Sequence, residues 1–218
     1  HLLGAGRALE DGGVSPLPAR VELDRGDAPA VLATTEGESI GAADDAHATL
    51  PALAIRRAPA RLERIDPAHP HRASCEEFIA SQFQHAYGAR IVHFSPYLLG
   101  VRDALARFRA AAGYTPADSR TLFLEQYLDA SIEAELGRLR GHPIRRESIA
   151  EVGNLAARSA GMARVLIPLL ACYLHRLRYE WVVFTATRKV RNTFARLGLY
   201  PLAIARADPA RLADRDAA

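Results

Sequence analysis

The sequence predicts an α/β (α+β) fold built on a mixed sheet. The region from Glu147 to Ala205 reads as strand, loop, helix, strand, helix, strand. Within it, the continuous apolar run Trp181–Phe184 is typical of a buried strand. Upstream, Tyr97–Arg102 and Arg107–Tyr114 are extended segments joined by a short turn, which predicts a hairpin. The order of these elements indicates a sheet that is splayed between the strand before the long helix and the strand after it.

The composition indicates one globular domain with a tail. The chain has 218 residues, 49% of them hydrophobic, which is enough for a full core. The net charge is +3, but Lys189 is the single lysine and alanine is abundant, so the basicity reflects codon bias rather than nucleic-acid binding. Cys75 and Cys172 form neither a metal-ligand spacing nor a disulfide framework. We therefore expect a cytoplasmic protein that binds no metal.

The first 57 residues predict a disordered or loosely attached extension, with the domain occupying residues 58–218. Glycine, proline, alanine and scattered charges fill this region, and no helical or strand period persists. It could instead be a targeting or partner-binding tail. A charged stretch followed by an apolar core is not visible, and the longest apolar run, Val165–Leu174, is too short to span a bilayer.

The domain is predicted to begin with a strand and a helix. Arg61–Ile65 is the predicted first strand, and Ser74–Glu77 has the pattern of a capping box that opens a helix ending at Gly88. His69 and His71 lie between these elements, but their spacing is not typical of a zinc site, so exposed loop histidines are the favoured interpretation.

The middle of the chain is predicted to hold an extended or loop segment followed by a short helix. The segment is Thr121–Tyr127, and Ser131 is the predicted cap of the helix, which Gly141 ends. Further on, a long amphipathic helix precedes the buried strand and contains Pro168, which should cost a hydrogen bond and produce a kink. A second helix should end at Gly198, before a last strand.

The six residues Arg158–Ala163 have the composition of a phosphate-binding loop. Small residues let backbone N–H groups approach an anion, and the positive end of the following helix attracts phosphate. The pattern resembles the pantetheine-pyrophosphate loop of the GNAT acyltransferase superfamily. An ordinary helix start would have the same local sequence, and the position between a strand and a long helix favours the phosphate loop.

Four longer segments together resemble the thermostable hemolysin family: Leu122–Asp129, Glu151–Leu155, Trp181–Thr187 and Arg191–Gly198. The resemblance covers about Arg61 to Leu212. It implies a GNAT-like acyltransferase fold related to the acyl-homoserine-lactone (autoinducer) synthases, with helices on both faces of the sheet. The family name records a hemolytic activity, so the name and the fold point to different functions.

The resemblance implies transfer of a fatty acyl group from a thioester of acyl carrier protein or coenzyme A to an amino-acid-like amine. Glu151 resembles the strand glutamate of the synthases and would be the base; Glu125 is the second choice. Glu151 could equally be a surface-facing strand residue. Asn154 stands where the synthases have arginine, which puts a sulfonium-amino-acid substrate and a lactone product in doubt. The predicted cofactor-binding residues are Gly153, Asn154, Leu155, Arg158, Ser159, Ala160, Gly161, Met162, Ala163 and Asn192, with backbone donors near Gly153–Leu155 for the oxyanion.

Tyr127 and Asp129 occupy places that resemble the acidic segment of the synthases, which implies substrate binding. A core tyrosine and a capping aspartate are the simpler interpretation. Phe194 stands where many GNAT enzymes carry a tyrosine that protonates the leaving thiolate, so the thiolate leaves unassisted or Tyr200 serves. On the same helix, a basic face could meet a cofactor phosphate or an acidic carrier protein, or could be a solvated surface: Arg188, Lys189, Arg191 and Arg196.

Two other function classes remain open from the sequence. One is a hemolysin that damages membranes directly, which the lack of a visible spanning segment or basic amphipathic helix disfavours. The other is a GNAT-like binding module without catalysis, which Phe194 keeps open.

Overall fold

The computed structural model describes residues 30–35, 61–91 and 93–212 of the chain. Seven strands and four α-helices are defined in this part. The strands are β1 Ala30–Thr35, β2 Arg61–Ile65, β3 Tyr97–Arg102, β4 Phe108–Pro116, β5 Ile149–Ala157, β6 Trp181–Ala186 and β7 Leu202–Arg206. The helices are α1 Arg72–Tyr87, α2 Ile132–Arg140, α3 Ala160–Arg176 and α4 Arg188–Arg196, and a 3₁₀ helix spans Phe123–Tyr127.

All seven strands form one sheet in the order β2-β3-β4-β5-β6-β1-β7. Every neighbouring pair is antiparallel except β5 and β6, which are parallel and connected through α3. The sheet is therefore mixed, as the sequence predicts. The parallel pair lies at the centre of the sheet. Because β5 and β6 run in the same direction, their carboxyl ends lie at the same end of the sheet.

Strand β1 corrects the prediction for the N-terminal region. Ala30–Thr35 pairs with β6 on one side and β7 on the other, so these residues belong to the sheet and not to a loose extension. Val31, Leu32 and Ala33 are at most 1% exposed, because both faces of β1 are covered. The apolar stretch is too short for periodicity to reveal it. The rest of the predicted extension lies outside the described residues.

The sheet has helices on both faces, which confirms that prediction. On one face, α3 packs on Leu99, Ala112 and Ala150, and α4 packs next to it on Phe184. On the opposite face, α1 covers Leu98 and Ala111. The 3₁₀ helix and α2 cover the other half of that face, over β5, β6 and β1. We call these the α3/α4 face and the α1 face.

Three predicted helix ends are confirmed and one predicted start is wrong. Gly88, Gly141 and Gly198 have φ values of 65°, 75° and 73°. This left-handed conformation commonly ends a helix, and glycine adopts it at the lowest cost in free energy. Helix α1, however, starts at Arg72 with His71 at the N-cap, so Ser74–Glu77 is not a capping box. The Ser74 hydroxyl instead donates to the His71 carbonyl.

Helix α3 runs through Pro168 without interruption. Pro168 is exposed, so the carbonyl of Arg164, which loses its helical partner, lies on the solvent side where water can replace it. None of the helices in the described part of the chain is long and apolar enough to cross a membrane.

Candidate functional site

The central feature of the sheet is a split between β5 and β6. The parallel pairing covers Ile149 to Val152 on β5 and Trp181 to Phe184 on β6, and β5 then continues for five residues without a partner on that side. Backbone N–H and C=O groups of β5 beyond Val152 therefore face a gap. The predicted splay is confirmed, and the gap offers backbone hydrogen bonds to an extended ligand.

A β-bulge lies at the start of this gap. On the β4 side, the register passes from Gly113–Gly153 to Ala111–Ala156, so β5 holds one more residue than β4 over this stretch. Asn154 has φ of 51°, a conformation that asparagine tolerates better than most residues. The bulge turns the backbone of β5 away from the regular ladder. Predicted site residues Gly153, Asn154 and Leu155 are all within it.

The side chain of Asn154 is occupied by the protein itself. Its Oδ1 accepts a 2.9 Å hydrogen bond from the Ser95 N–H, and its Nδ2 donates to the His93 carbonyl at 3.3 Å. Asn154 thus fixes the segment before β3 on the α1 face. Because both polar atoms of its side chain are occupied, Asn154 could contact a cofactor only through its backbone.

The predicted phosphate loop forms the start of α3. Arg158 and Ser159 precede the helix, and Ala160, Gly161, Met162 and Ala163 form its first turn. The Ser159 hydroxyl accepts from the Met162 N–H at 3.3 Å, and the Ser159 carbonyl accepts from the Ala163 N–H. The first turn of any helix leaves N–H groups without helical partners, so those of Ala160 and Gly161 are the ones available for an anion. Arg158 is exposed beside them.

Helix α4 begins directly after β6, at the same end of the strands as the start of α3. Its predicted cofactor contact, Asn192, is exposed, as is Arg188 at its first position. Phe194 stacks on Phe184 with ring centroids 4.9 Å apart, so it is a packing residue. Tyr200 follows the end of α4 and precedes β7, at the opposite edge of the sheet, which excludes it as the acid for a thiolate leaving at the split.

Glu151 is a buried carboxyl group on the α1 face, 9% exposed. Its two oxygens accept hydrogen bonds from the N–H groups of Phe123 at 2.8 Å and Leu124 at 2.9 Å. Burial raises the pKa of Glu151 to about 7, although both backbone donors act in the opposite direction. A carboxyl group with this pKa can exchange a proton near neutral pH. The surface-facing alternative is wrong.

Glu125 lies in a cluster of charged groups. Its carboxylate binds the Arg146 guanidinium at 2.7 and 2.9 Å and accepts from the N–H groups of Leu122 and Ile132. Burial alone would raise the pKa of Glu125, but these donors outweigh it and the pKa is lowered. Arg146 also binds Glu133 at 2.6 Å. A carboxylate held by four donors and depressed in pKa is a structural group, which argues against Glu125 as a base.

Tyr127 and Asp129 are placed apart from the split. Tyr127 is 7% exposed in the core under the 3₁₀ helix. The Asp129 side chain is 86% exposed and pairs with Arg211, whose guanidinium also binds the carbonyls of Tyr127 and Leu128. Glu125 and Asp129 share a different pocket, of about 630 Å³, with Asp118, Arg120 and Glu133 among its lining residues.

A sequence profile of thermostable hemolysins matches residues 65–218. The chain belongs to the thermostable hemolysin family. The match excludes β1, although β1 lies inside the sheet. The profile match confirms the family resemblance inferred from the sequence.

A comparison with solved structures finds a proposed acetyltransferase of the GNAT family from Novosphingobium aromaticivorans. It is 14% identical to this chain, with a TM-score of 0.42. The similarity covers 81% of this chain and 61% of that chain, so it spans less than two thirds of the neighbour. No curated protein matches the sequence.

Sequence reasoning missed two residues of the site, Ser95 beside the bulge and Phe123 beside Glu151. Ser95 sits against the paired glycines Gly113 and Gly153, and Phe123 extends from the segment that Glu151 holds, with 47% of its surface exposed. The pairing of two glycines across neighbouring strands was a usable signal, because glycine weakens a strand unless something approaches closely.

The histidines of the loop before α1 hold that loop together. His69 accepts from the His71 N–H at 3.1 Å and lies 3.5 Å from Glu63. Within residues 30–35, 61–91 and 93–212, no group of three or more His, Cys, Asp or Glu side chains has the arrangement of a metal site.

Proposed function

We propose that this protein is an acyltransferase that moves a fatty acyl group from a thioester donor to an amine. The observation that carries the proposal is the split between β5 and β6, at whose open end the helices α3 and α4 both begin. Ligands of α/β sheets bind outside the carboxyl ends of parallel strands, and helix N-termini attract phosphate. A phosphopantetheine thioester has an extended amide arm for the split and phosphate for the helix ends.

The donor would lie along the open edge of β5. Its phosphate would meet the N–H groups of Ala160 and Gly161, and its arm would pair with the backbone beyond Val152. Both coenzyme A and acyl carrier protein present this group. An acidic carrier protein would find exposed arginines at this edge, among them Arg158 and Arg188. Because Cys75 and Cys172 are free, a reducing cytoplasm would suit the protein.

The reaction would begin with proton transfer from the protonated acceptor amine to Glu151, which leaves a neutral amine as the nucleophile. The amine nitrogen then forms a bond to the thioester carbonyl carbon, and backbone N–H groups of the bulge near Gly153–Leu155 stabilise the oxyanion. Collapse of this intermediate breaks the carbon–sulfur bond, and the thiolate leaves with the electron pair. Phe194 cannot protonate the thiolate, so the thiolate takes a proton from Glu151 or solvent, and the amide nitrogen releases its extra proton to solvent.

Incubation of the purified full-length chain with a panel of thioesters tests the proposal. Hexanoyl-, octanoyl- and palmitoyl-coenzyme A and the matching acyl carrier proteins are mixed with amines, and mass spectrometry follows thiol release and amide formation. Amide formed with donor and protein together supports the proposal. Red-cell lysis without any donor, and no amide from any pair, would reject it in favour of a directly membrane-damaging hemolysin.

A variant of the first turn of α3 tests the donor site. Gly161→Val adds a branched side chain where phosphate would approach, and a Cβ at Gly161 meets only the Ser159 hydroxyl at 3.7 Å, so the fold has room for it. We expect at least a tenfold weaker affinity for coenzyme A, about the worth of one hydrogen bond to a charged group. Ala134→Val in the first turn of α2 is the matched control. Equal affinity in both variants would contradict the donor site.

A further inference from the structure

Helices α3 and α4 end side by side and with the same backbone motif. Strands β6 and β7, which follow them, are both antiparallel to β1, so both helices end opposite the open end of the split. At the end of α3, the Tyr179 N–H donates to the Leu174 carbonyl at 3.2 Å. At the end of α4, the Leu199 N–H donates to the Phe194 carbonyl at 3.0 Å. Because the two helices are in contact, their ends are about 8–10 Å apart.

The two helix ends differ in the residue that takes the left-handed conformation. In α4 this residue is Gly198, with φ of 73°, and in α3 it is Arg178, with φ of 68°. Glycine adopts this conformation without strain, whereas a residue with a Cβ is strained in it. Arg178 is exposed, and its side chain has no partner within the part of the chain that the structure describes. The strain at Arg178 therefore points to a function for this arginine outside the fold itself.

Positive charge is concentrated at the same two helix ends. Arg176 and Arg196, in the last turns of α3 and α4, are exposed, and neither is paired with an acid among the described residues. Residues 152–207 hold nine arginines and lysines and one acid, Glu180, which lies 3.8 Å from the Arg145 guanidinium. Three arginines of the α1 face, by contrast, are each paired with an acid: Arg72, Arg146 and Arg211. This end of the α3/α4 face therefore carries charge that the described residues do not neutralise.

Large apolar side chains are exposed beside these arginines. Leu177 is 44% exposed after α3, and Leu199 and Tyr200 are 39% and 80% exposed after α4. The described part of the chain exposes seven large hydrophobic side chains, and three of them lie on these two adjoining ends, so the exposure is clustered. We define six residues as the helix-end patch: Arg176, Leu177, Arg178, Arg196, Leu199 and Tyr200. Arginine, leucine and tyrosine together are typical of a surface that lies on an anionic bilayer.

We propose that the helix-end patch docks the protein reversibly on an anionic phospholipid surface. The guanidinium groups would donate hydrogen bonds to headgroup phosphates, Leu177 and Leu199 would enter the acyl boundary, and Tyr200 would lie at the interface. A soluble acidic carrier protein is the weaker candidate for this patch. The start of α3, where the donor phosphate is proposed to bind, is about 25 Å away along the helix, so a carrier docked here would present its arm at the wrong end of the sheet. On a membrane, the split would still face the solvent.

Replacement of the strained arginine separates docking from folding. Arg178→Gly removes the strain and one positive charge, and Ala106→Gly removes the same kind of strain at the β3–β4 turn, where Ala106 has φ of 60°. We expect both variants to raise the midpoint of urea unfolding. Flotation of the full-length protein with vesicles of phosphatidylcholine and phosphatidylglycerol then measures docking. Arg178→Gly should bind these vesicles about fivefold more weakly, the usual worth of one arginine at an anionic surface, and Ala106→Gly should bind them like the parent.

A triple variant tests the charge of the whole patch. Replacement of its three arginines by glutamine should weaken binding to the same vesicles roughly 100-fold, since each arginine adds to the attraction. The matched control replaces three exposed arginines elsewhere and so has the same net charge: Arg61, Arg90 and Arg120. We expect the control to bind within about threefold of the parent, because charges far from the bilayer are screened.

The apolar part of the patch is tested at high salt, which screens the arginines. Tyr200→Ser should then weaken vesicle binding by roughly threefold or more, whereas Leu105→Ser, at a residue 70% exposed on the β3–β4 turn, should leave it unchanged. No binding of the parent to anionic vesicles, or equal losses in the two triple variants, would overturn the proposal. So would unchanged vesicle binding by the patch variant together with lost binding to acyl carrier protein. These assays contain no donor or amine, so their result stands whether or not the protein transfers acyl groups.

Discussion

Glu125 and Glu151 both accept hydrogen bonds from backbone N–H groups at the start of the same 3₁₀ helix, but their surroundings shift their pKa values in opposite directions. Glu125 binds Arg146 and two backbone N–H groups, and its pKa is lowered. Glu151 also binds two backbone N–H groups but has no arginine, and burial raises its pKa to about 7. Glu151 is more deeply buried than Glu125 and is repelled by the Glu125 charge, whereas Glu125 has a guanidinium beside it, and an opposite charge compensates the desolvation of a carboxylate more fully than neutral donors do.

The two regions therefore have different tasks. The Glu125 region, which we define as Glu125, Glu133 and Arg146, ties the 3₁₀ helix to α2. The Glu151 region, defined as Glu151, Phe123 and Gly153, lies beside the split and keeps a carboxyl group able to exchange a proton at neutral pH. Both regions hold backbone N–H groups in place, and the Glu151 region can also exchange a proton.

Removal of the ionisable carboxyl from each region should separate these tasks most clearly. In Glu151→Gln, we expect transfer at pH 7 to fall by about 10²–10⁴-fold, the usual worth of general-base catalysis, and to recover partly at pH 9, where free amine accumulates. Affinity for coenzyme A should be kept. In Glu125→Gln, transfer per folded molecule should stay within about threefold, a small change on the scale of base removal.

These rates are measured well below the melting temperature, with circular dichroism as a check on folding. Glu151→Gln also loses one acceptor for a backbone N–H, so partial unfolding must be excluded before the rates are compared. A larger loss of transfer in Glu125→Gln than in Glu151→Gln would reverse the assignment of the two regions.

Removal of the guanidinium should show what the Glu125 region does for stability. The Glu125 side chain is 9% exposed beside Arg146, and in Arg146→Met both Glu125 and Glu133 lose their cation, so we expect the free energy of unfolding to fall by about 3–5 kcal/mol. Arg138→Met is the control, because Arg138 pairs with Glu135 at the surface and is 67% exposed, where pairs contribute less than about 1 kcal/mol. Urea denaturation measures both. Equal losses would contradict the cluster as a stabilising unit.

The strands and helices of this protein were easier to predict from the sequence than its candidate site. Strands β2 to β7 and the four helices follow from periodicity and helix-ending glycines, which are local features. Strand β1 could not be predicted in this way, because its six residues lie in a region without hydrophobic periodicity and form a strand only by pairing with β6 and β7. Local composition cannot reveal a strand that depends on partners more than 100 residues away.

At the site, residue type suggested two possible bases, and the sequence had no means to rank their environments. Arg146 lies 21 positions from Glu125, and Phe123 lies 28 positions from Glu151, so both partners are brought in by the fold. Ser95 is 59 positions from Asn154. The split itself was predictable, because it follows from the order of the strands and of the helices between them.

The two carboxyl groups should also give opposite dependences of stability on pH. Glu151 titrates near 4.5 when unfolded and about 7 when folded, so the folded state binds more protons in between and stability falls as pH rises from about 4.5 to 7. A shift of this size corresponds to about 3 kcal/mol. Glu125 has a lowered pKa, so its contribution is present above about 4.5 and is lost as pH falls below that value.

Urea melts between pH 3 and 8 measure both slopes. Glu151→Gln should flatten the decline between pH 4.5 and 7, and Glu125→Gln should flatten the loss in acid. If Glu151→Gln leaves the neutral-range slope unchanged, the carboxyl group is ionised in the folded protein, and its use as a base near pH 7 loses its physical ground.

Asp129 should give the smallest effect, and it tests whether the acidic segment binds substrate. Its side chain is 86% exposed and is paired with Arg211, which also binds the carbonyls of Tyr127 and Leu128. Asp129→Asn keeps the shape and a hydrogen-bond acceptor, and an exposed pair contributes less than about 1 kcal/mol. We expect KM for an amine and the midpoint of unfolding to be nearly unchanged. A rise of tenfold or more in amine KM would instead place the acceptor over the pocket beside Asp129 and Arg120, because a charged amine loses most when its carboxylate partner is removed. That result would move substrate binding from the Glu151 region to the Glu125 region.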